Sequence, residues 1–203
     1  MALRKTFSTL SPIATSFLHD LQALTSLSKF YNSNPTATST LATVVQEILT
    51  ANRVLVTGIG KSGYVARRMA ASLASVGVPS HFVHGTEWVH GDLGVACTGD
   101  IVVGFSHSGN TEELAVLPQF LKPRGIPLAV VIGASDSTLG RLADHVVLAP
   151  ATNELIEKVP SRSIVVQEAV VNAIVAQVID RTNVTTDDFL VNHPGGSIGR
   201  SGV

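Results

Sequence analysis

The sequence predicts an α/β fold: a doubly wound, parallel five-stranded sheet flanked by helices and preceded by an N-terminal helical arm. Two observations carry that expectation. Short, continuously apolar runs follow Arg53 and alternate with amphipathic segments, the pattern of strands covered on both faces by crossover helices. The composition agrees, because only 14% of residues are Asp, Glu, Lys or Arg and 45% are hydrophobic. A typical soluble domain has roughly 25% charged residues. Apolar surface in that excess needs a large core, a subunit surface buried in an oligomer, or both. One domain of 203 residues is long enough to supply such a core.

Taken in order, residues 1–40 read as the helical arm and residues 41–203 as the domain proper. Leu10, Ile13, Phe17, Leu21 and Leu24 recur at helical spacing. Residues 1–19 also have the composition of a transit peptide, with Arg4, Lys5, many Ser and Thr, and no acid before Asp20. The periodicity runs past any cleavage point, so an amphipathic helix and a cytoplasmic location are preferred, with an organellar leader as the alternative. In a second helix Leu41, Val44, Val45, Ile48 and Leu49 share one face. The strand runs are 54–56, 81–83, 101–105, 128–132 and 145–148, and the helical stretches lie near 62–76, 111–122, 137–143 and 161–180.

Several function classes fall away. Disorder needs low hydrophobicity and high net charge, and this chain has neither. With 14 basic against 15 acidic residues, no broad basic surface for nucleic acid is expected. A membrane partner is not expected either. The longest stretch without a formal charge, 69–86, is interrupted by Gly77, Pro79, His81 and His84. One cysteine, Cys97, fits a reducing compartment and reads as a small buried hydrophobe.

In a doubly wound sheet the ligand sits beyond the carboxyl ends of the strands, so the loops after the first and third strands are the places to look. The first is Gly58-Ile59-Gly60-Lys61-Ser62-Gly63. It matches the dinucleotide pattern G-x-G-x-x-G, but the acid that would hold a ribose is missing from the end of the next strand, where Glu87 comes too late. A Walker A loop would need glycine where Leu55 stands. What remains is a glycine-rich turn feeding a helix N-terminus, with free N–H groups and a lysine, which suits an anion. The second loop, Ser106-His107-Ser108-Gly109-Asn110-Thr111, has the same character. Its residues would also serve as helix caps. Two such loops at neighbouring strand ends favour phosphate binding.

These two loops, the second continuing into Glu112-Glu113, resemble the sugar isomerase (SIS) domain. His90-Gly91-Asp92-Leu93-Gly94 and Asn192-His193-Pro194-Gly195-Gly196-Ser197-Ile198-Gly199-Arg200 more narrowly resemble the arabinose 5-phosphate isomerases. The resemblance covers about residues 41–200 and implies a flavodoxin-like SIS fold. Those isomerases commonly carry two CBS domains after this segment. The sequence ends at Val203, so a form without them is expected.

The resemblance implies an aldose–ketose isomerase of a phosphorylated sugar, with ribulose 5-phosphate to arabinose 5-phosphate as the leading reaction. Moving a proton between adjacent carbons through an enediol requires a base, a donor at oxygen and a cation facing the developing charge. It requires no metal or other cofactor. By resemblance, Ser62, Ser106, Ser108 and Thr111 hold the phosphate, with Gly60, Gly109 and Asn110 completing the two loops. Lys61 faces the substrate oxygens, and His193 matches the family's catalytic histidine. Where the family has a glutamate after Ser-Gly, this chain has Asn110, which cannot take a proton from carbon; Glu113 caps or braces the loop. A second family glutamate falls in the segment before the last long helix, where Glu154 is the best match and Glu157 the fallback, so the resemblance implies Glu154 as the first candidate base. Glu168, on an apolar helix face, ranks second. His90 and Asp92 shape the pocket floor, two ligands being too few for a metal. A sugar-phosphate-binding regulator without catalysis, or a hexulose 6-phosphate isomerase, are the alternatives. A nicotinamide dehydrogenase rests on the glycine pattern alone. The leading helices and the apolar stretch 164–179 are expected to bury surface in a homo-oligomer, a dimer or tetramer, with His193 acting across the boundary.

Overall fold

The computed structural model describes residues 11–151, 154 and 159–200. Leu10, Glu157 and the first ten residues of the transit-like segment lie outside the described residues. Five parallel strands form one sheet in the order β2-β1-β3-β4-β5. They are β1 (Val54–Gly58), β2 (Ser80–His84), β3 (Ile101–Ser106), β4 (Leu128–Ile132) and β5 (His145–Leu148). All five expected strands are present, and each neighbouring pair is parallel.

The continuous apolar runs are explained by the two layers of core. Val54, Val56, Ile101, Val103, Phe105, Ala129 and Val131 face one layer, while Leu55, Val102, Leu128, Val130 and Ile132 face the other. Side chains alternate across a strand, so a sheet covered on both sides needs apolar residues at every position. The first layer is built by α1 (Pro12–Ser33), α2 (Pro35–Thr50), α3 (Gly60–Ser75) and α7 (Arg162–Thr182). The second is built by α4 (Glu112–Ala115), α5 (Leu117–Leu121), α6 (Thr138–Leu142) and Trp88. Each fully buried Leu, Val or Phe contributes roughly 1.5–3 kcal/mol.

Cys97, read as a buried hydrophobe, is instead exposed, and three details of the elements depart from the sequence pattern. The expected helix over 111–122 is broken into α4 and α5, because Pro118 has no N–H to donate back to the preceding turn. Two short helices, α8 (Thr186–Val191) and α9 (Gly196–Arg200), flank the His193 turn. The third concerns α1. Leu27 is buried, and the Tyr31 hydroxyl donates to Leu148 O at 2.8 Å, tying α1 to the edge strand β5. The expected apolar stripe on its first half, however, faces outward: Ile13 and Phe17 are each 69% exposed and Leu21 58%. The second helix is as expected, running unbroken through residue 40 with Leu41, Val44, Val45 and Ile48 buried. By length and composition α7 could cross a membrane, but it lies against α3 and α1 and buries Val166, Val170, Val171, Ile174 and Val178 in the core.

The strand order fixes the site. The chain leaves β1 toward β2 on one side and β3 toward β4 on the other, so a crevice opens between the carboxyl ends of β1 and β3.

Candidate functional site

The loop from β1 into α3 is shaped by glycine against glycine. A Cβ at Gly63 would sit 2.9 Å from Gly58 O, and one at Gly58 would lie 3.1 Å from the Gly63 backbone. Only this pair lets α3 begin directly at the strand end. Gly60 has φ of 59°, a left-handed conformation that side chains resist. No side chain caps α3, so its first N–H groups and the positive end of its dipole face the crevice. Lys61 is exposed beside them and Ser62 is half-buried.

The loop after β3 meets it at the switch point, with Phe105 in register with Gly58. Ser106 is buried, its Oγ 2.7 Å from Thr111 Oγ1, and it accepts the Gly109 N–H at 3.0 Å. Ser108 is exposed, and its Oγ accepts the Asn110 N–H at 3.2 Å. Gly109 has φ of 65°, and a Cβ there would fall 2.2 Å from Ser137 Oγ. The Asn110 carboxamide oxygen turns away to accept the Thr138 N–H at 2.9 Å and its hydroxyl at 3.0 Å. His107 packs on Gly133, with its Nδ1 buried and without a partner among the described residues.

A third loop, after β2, closes against the first. Gly85 N–H donates to Gly58 O at 3.3 Å, and Trp88 Nε1 donates to Thr57 Oγ1 at 2.9 Å. Its exposed rim carries His84, Thr86 and Glu87 in one hydrogen-bonded row. His90 and Asp92 follow on consecutive 3₁₀ turns, both exposed. Among the described residues no three His, Cys, Asp or Glu side chains converge to hold a metal.

The remaining expected residues lie elsewhere. Glu154 is engaged at the start of α7: its carboxylate accepts Ser161 N–H at 2.8 Å, Ser161 Oγ–H at 2.7 Å, Arg162 N–H at 2.8 Å and Ser163 N–H at 3.1 Å. Burial alone would raise its pKa, but the hydrogen bonds from Ser163 and Ser161 outweigh that and bring it down to about 2. The first-ranked base is therefore a helix cap in this chain. The neighbouring Arg162, 3% exposed, reaches His19 Nδ1 at 3.1 Å and Asp20 at 3.5 Å, joining α1 to the same corner.

Glu168 forms an ion pair with Arg68, which also donates to Glu168 O at 3.2 Å and to Asn172 Oδ1 at 2.8 Å. An acid on an apolar helix is accounted for by this clasp between α3 and α7. His193 stacks on Phe189 with ring centroids 3.9 Å apart, and its Nδ1 lies 2.8 Å from Phe189 O. The adjacent Asn192 donates to Ser75 O at 3.2 Å, at the far end of α3 from Lys61. Fourteen helical residues separate Lys61 from Ser75, a rise of roughly 21 Å. One chain thus brings together Lys61, Ser62, Ser106, Ser108 and Thr111, but not His193.

Comparison with known proteins gives the family. Residues 47–177 match the SIS domain. The arabinose 5-phosphate isomerase KdsD of Shigella flexneri is 36% identical over 150 residues, covering 73% of this chain and 46% of that protein. KdsD of Pseudomonas aeruginosa is 37% identical over 150 residues, with 73% and 46% covered. The chain thus spans about half the length of these curated relatives. A solved Escherichia coli CFT073 structure in complex with arabinose 5-phosphate has a TM-score of 0.79 and 32% identity, covering 91% of this chain and 100% of that one. With the family match spanning most of its length, including both crevice loops, this chain belongs to the SIS domain family.

Proposed function

We propose that the chain is an aldose–ketose isomerase of a phosphorylated sugar, interconverting ribulose 5-phosphate and arabinose 5-phosphate through an enediol. The observation that carries this reading is the meeting at the switch point of two loops rich in N–H and hydroxyl groups, a composition that suits an anion: the uncapped start of α3 and the Ser106–Thr111 loop. The relatives' names and the sugar phosphate bound in the Escherichia coli structure supply the pentose.

In this reading Gly60, Ser62, Ser106, Ser108, Gly109 and Thr111 hold the phosphate, and Asn110 braces their loop against Thr138. Anchoring the phosphate fixes the reacting carbons in one position, which is worth a large share of the barrier. Lys61 faces the sugar oxygens and stabilises the enediolate. His193 comes from a second copy of the chain, so the active form is a homo-oligomer. His90 and Asp92 shape the rim of the pocket, Glu154 orders the start of α7, and Glu168 holds α3 against α7.

The test is a panel of sugar phosphates assayed for aldose–ketose conversion with the wild type, Lys61→Ala and His193→Ala. Wild-type turnover of the pentose, lost in both variants, supports the reading. Faster turnover of a hexulose 6-phosphate would replace the substrate. Binding without turnover of any member would favour a sugar-phosphate-sensing regulator, the reading that the commitment of Asn110 to Thr138 favours.

A further inference from the structure

The isomerase reading needs a group that takes a proton from carbon, and the two carboxylates ranked first and second for it are engaged elsewhere: Glu154 at the start of α7, Glu168 with Arg68. The rim of the crevice holds another candidate. His84 ends β2, in register with Gly58 of β1. Its Nδ1 lies 2.8 Å from Thr86 Oγ1, and Thr86 Oγ1 donates to Glu87 Oε1 at 2.9 Å. A carboxylate can only accept, so the single Thr86 hydroxyl proton points to Glu87, and the hydroxyl oxygen then accepts the His84 Nδ1–H. The opposite tautomer would keep a 3.4 Å contact from Thr86 N–H and sacrifice one of the two short bonds. The row thus leaves Nε2 as the lone pair of an exposed imidazole, without a partner among the described residues.

The ring is aimed along the side of β2 that faces α3. Phe82, two residues earlier and of the same parity, lies 4.9 Å beneath the Arg67 guanidinium and touches the space beside Gly63. The Phe82 and His84 ring centroids are 6.3 Å apart. Moving two residues up the strand, about 6.6 Å, brings His84 level with the first turn of α3, where Gly60 and Lys61 stand. The opposite flank of the crevice is closed, because the Ser106–Thr111 loop is bonded there to Gly133, Thr138 and Leu139.

We propose that His84, oriented by Thr86 and Glu87, is the proton-transferring residue of the isomerisation. The proposal rests on the isomerase reading above. In the aldose-to-ketose direction Nε2 takes the proton from C2, breaking that C–H bond and leaving an enediolate whose negative O1 faces the Lys61 ammonium. The proton of the C2 hydroxyl then passes to O1, the C1–C2 double-bond pair bonds C1 to the proton that the imidazolium returns, and C2 becomes the carbonyl. No electron leaves the substrate, and no co-reactant is consumed. Thr86 and Glu87 are positioning residues: they hold the tautomer and stabilise the imidazolium.

The test uses the full chain and begins with the wild type. No turnover on any sugar phosphate in the panel would sink the isomerase reading and this proposal with it; turnover leaves the proposal to stand or fall on the variants. His84→Gln is expected to lower kcat by about 10²–10⁴ with KM little changed, and to abolish exchange of solvent deuterium into the substrate. Thermal stabilisation by inorganic phosphate should be unchanged, since the two phosphate loops are intact. Added imidazole should restore part of the rate to His84→Ala. Glu87→Gln and Thr86→Val should each lower kcat about tenfold and shift the acidic limb of the pH–rate profile, while Thr86→Ser keeps both. The groups on neighbouring elements that could move that limb are Lys61, Arg67 and His90. A His84→Gln enzyme that retains wild-type kcat and deuterium exchange overturns the assignment. Variants of Thr86 and Glu87 that lose stability but keep the pH profile overturn the relay.

Discussion

The Asn110 carboxamide oxygen accepts two hydrogen bonds from Thr138, 28 residues further along the chain, at 2.9 Å and 3.0 Å. The Ser106–Thr111 loop after β3 is thereby held to the first turn of α6, whose Ser137 in turn packs against Gly109. This residue replaces an acid with a brace.

That relationship makes Asn110 a stability and affinity residue. Asn110→Ala strips two acceptor bonds from Thr138 and should cost about 1–2 kcal/mol. The loosened loop should bind inorganic phosphate more weakly, while kcat at saturating sugar phosphate stays within about threefold, because the carboxamide takes no part in proton transfer. Urea unfolding and steady-state kinetics measure both. An Asn110→Ala enzyme with full stability and no kcat would show that the side chain acts on substrate.

Glu154 should control how stability falls in acid. Its carboxyl has a pKa of about 2 in the folded chain against an ordinary 4.5, so the folded state favours the charged form. A depressed carboxylate contributes its stability above the unfolded value, and that contribution drains away as pH falls from about 4.5 toward 2. Glu154→Gln should therefore flatten the acid side of the stability curve. At neutral pH it should also destabilise by about 1 kcal/mol, as a weakened helix cap does. Denaturant unfolding at neutral pH and at pH near 3 checks it. If the same variant lost all turnover without losing stability, Glu154 would be the base.

How far the sequence reached depends on the range of the interaction. Apolar runs such as 101–105 and 128–132 are buried on both faces, so each residue reports its environment and the strands could be read directly. The glycines of 58–63 could be read because the turn itself demands them. The base could not. An acid on α7 looked functional until Arg68, 100 residues away on α3, supplied its partner. His84, Thr86 and Glu87 form a compact pattern, but it gains meaning only when β2 is seen to pair with β1, which sets His84 in register with Gly58.

The outward stripe of α1 should be an interface. Ile13 and Phe17 are each 69% exposed, followed by Leu21 and Leu24 on the same side of a helix whose later turns are docked. Such a stripe is costly to leave in water and is the natural surface for a second copy. Phe17→Glu with Leu21→Glu should reduce the oligomer to smaller species by light scattering. The fold itself should change by little, since exposed substitutions away from packed features cost within about 0.5 kcal/mol. A monomeric wild type would refute this.

The separation of Lys61 and His193 gives the sharpest test of a shared site. Asn192 is tied to Ser75 at the far end of α3, so the imidazole beside it cannot reach the lysine of its own chain without unwinding that contact. In a symmetric pair each site would take Lys61 from one copy and His193 from the other. Lys61→Ala and His193→Ala homodimers should both be inactive. When they are mixed and allowed to exchange, half of the dimers are hybrids, and each hybrid rebuilds one intact site while the other carries both defects. Activity should recover to about one quarter of the wild-type value. A tetramer made of such pairs gives the same fraction if its pairs exchange freely. If both residues served one chain's site, mixing would recover nothing, and the turn carrying His193 would have to leave α3 for the enzyme to work.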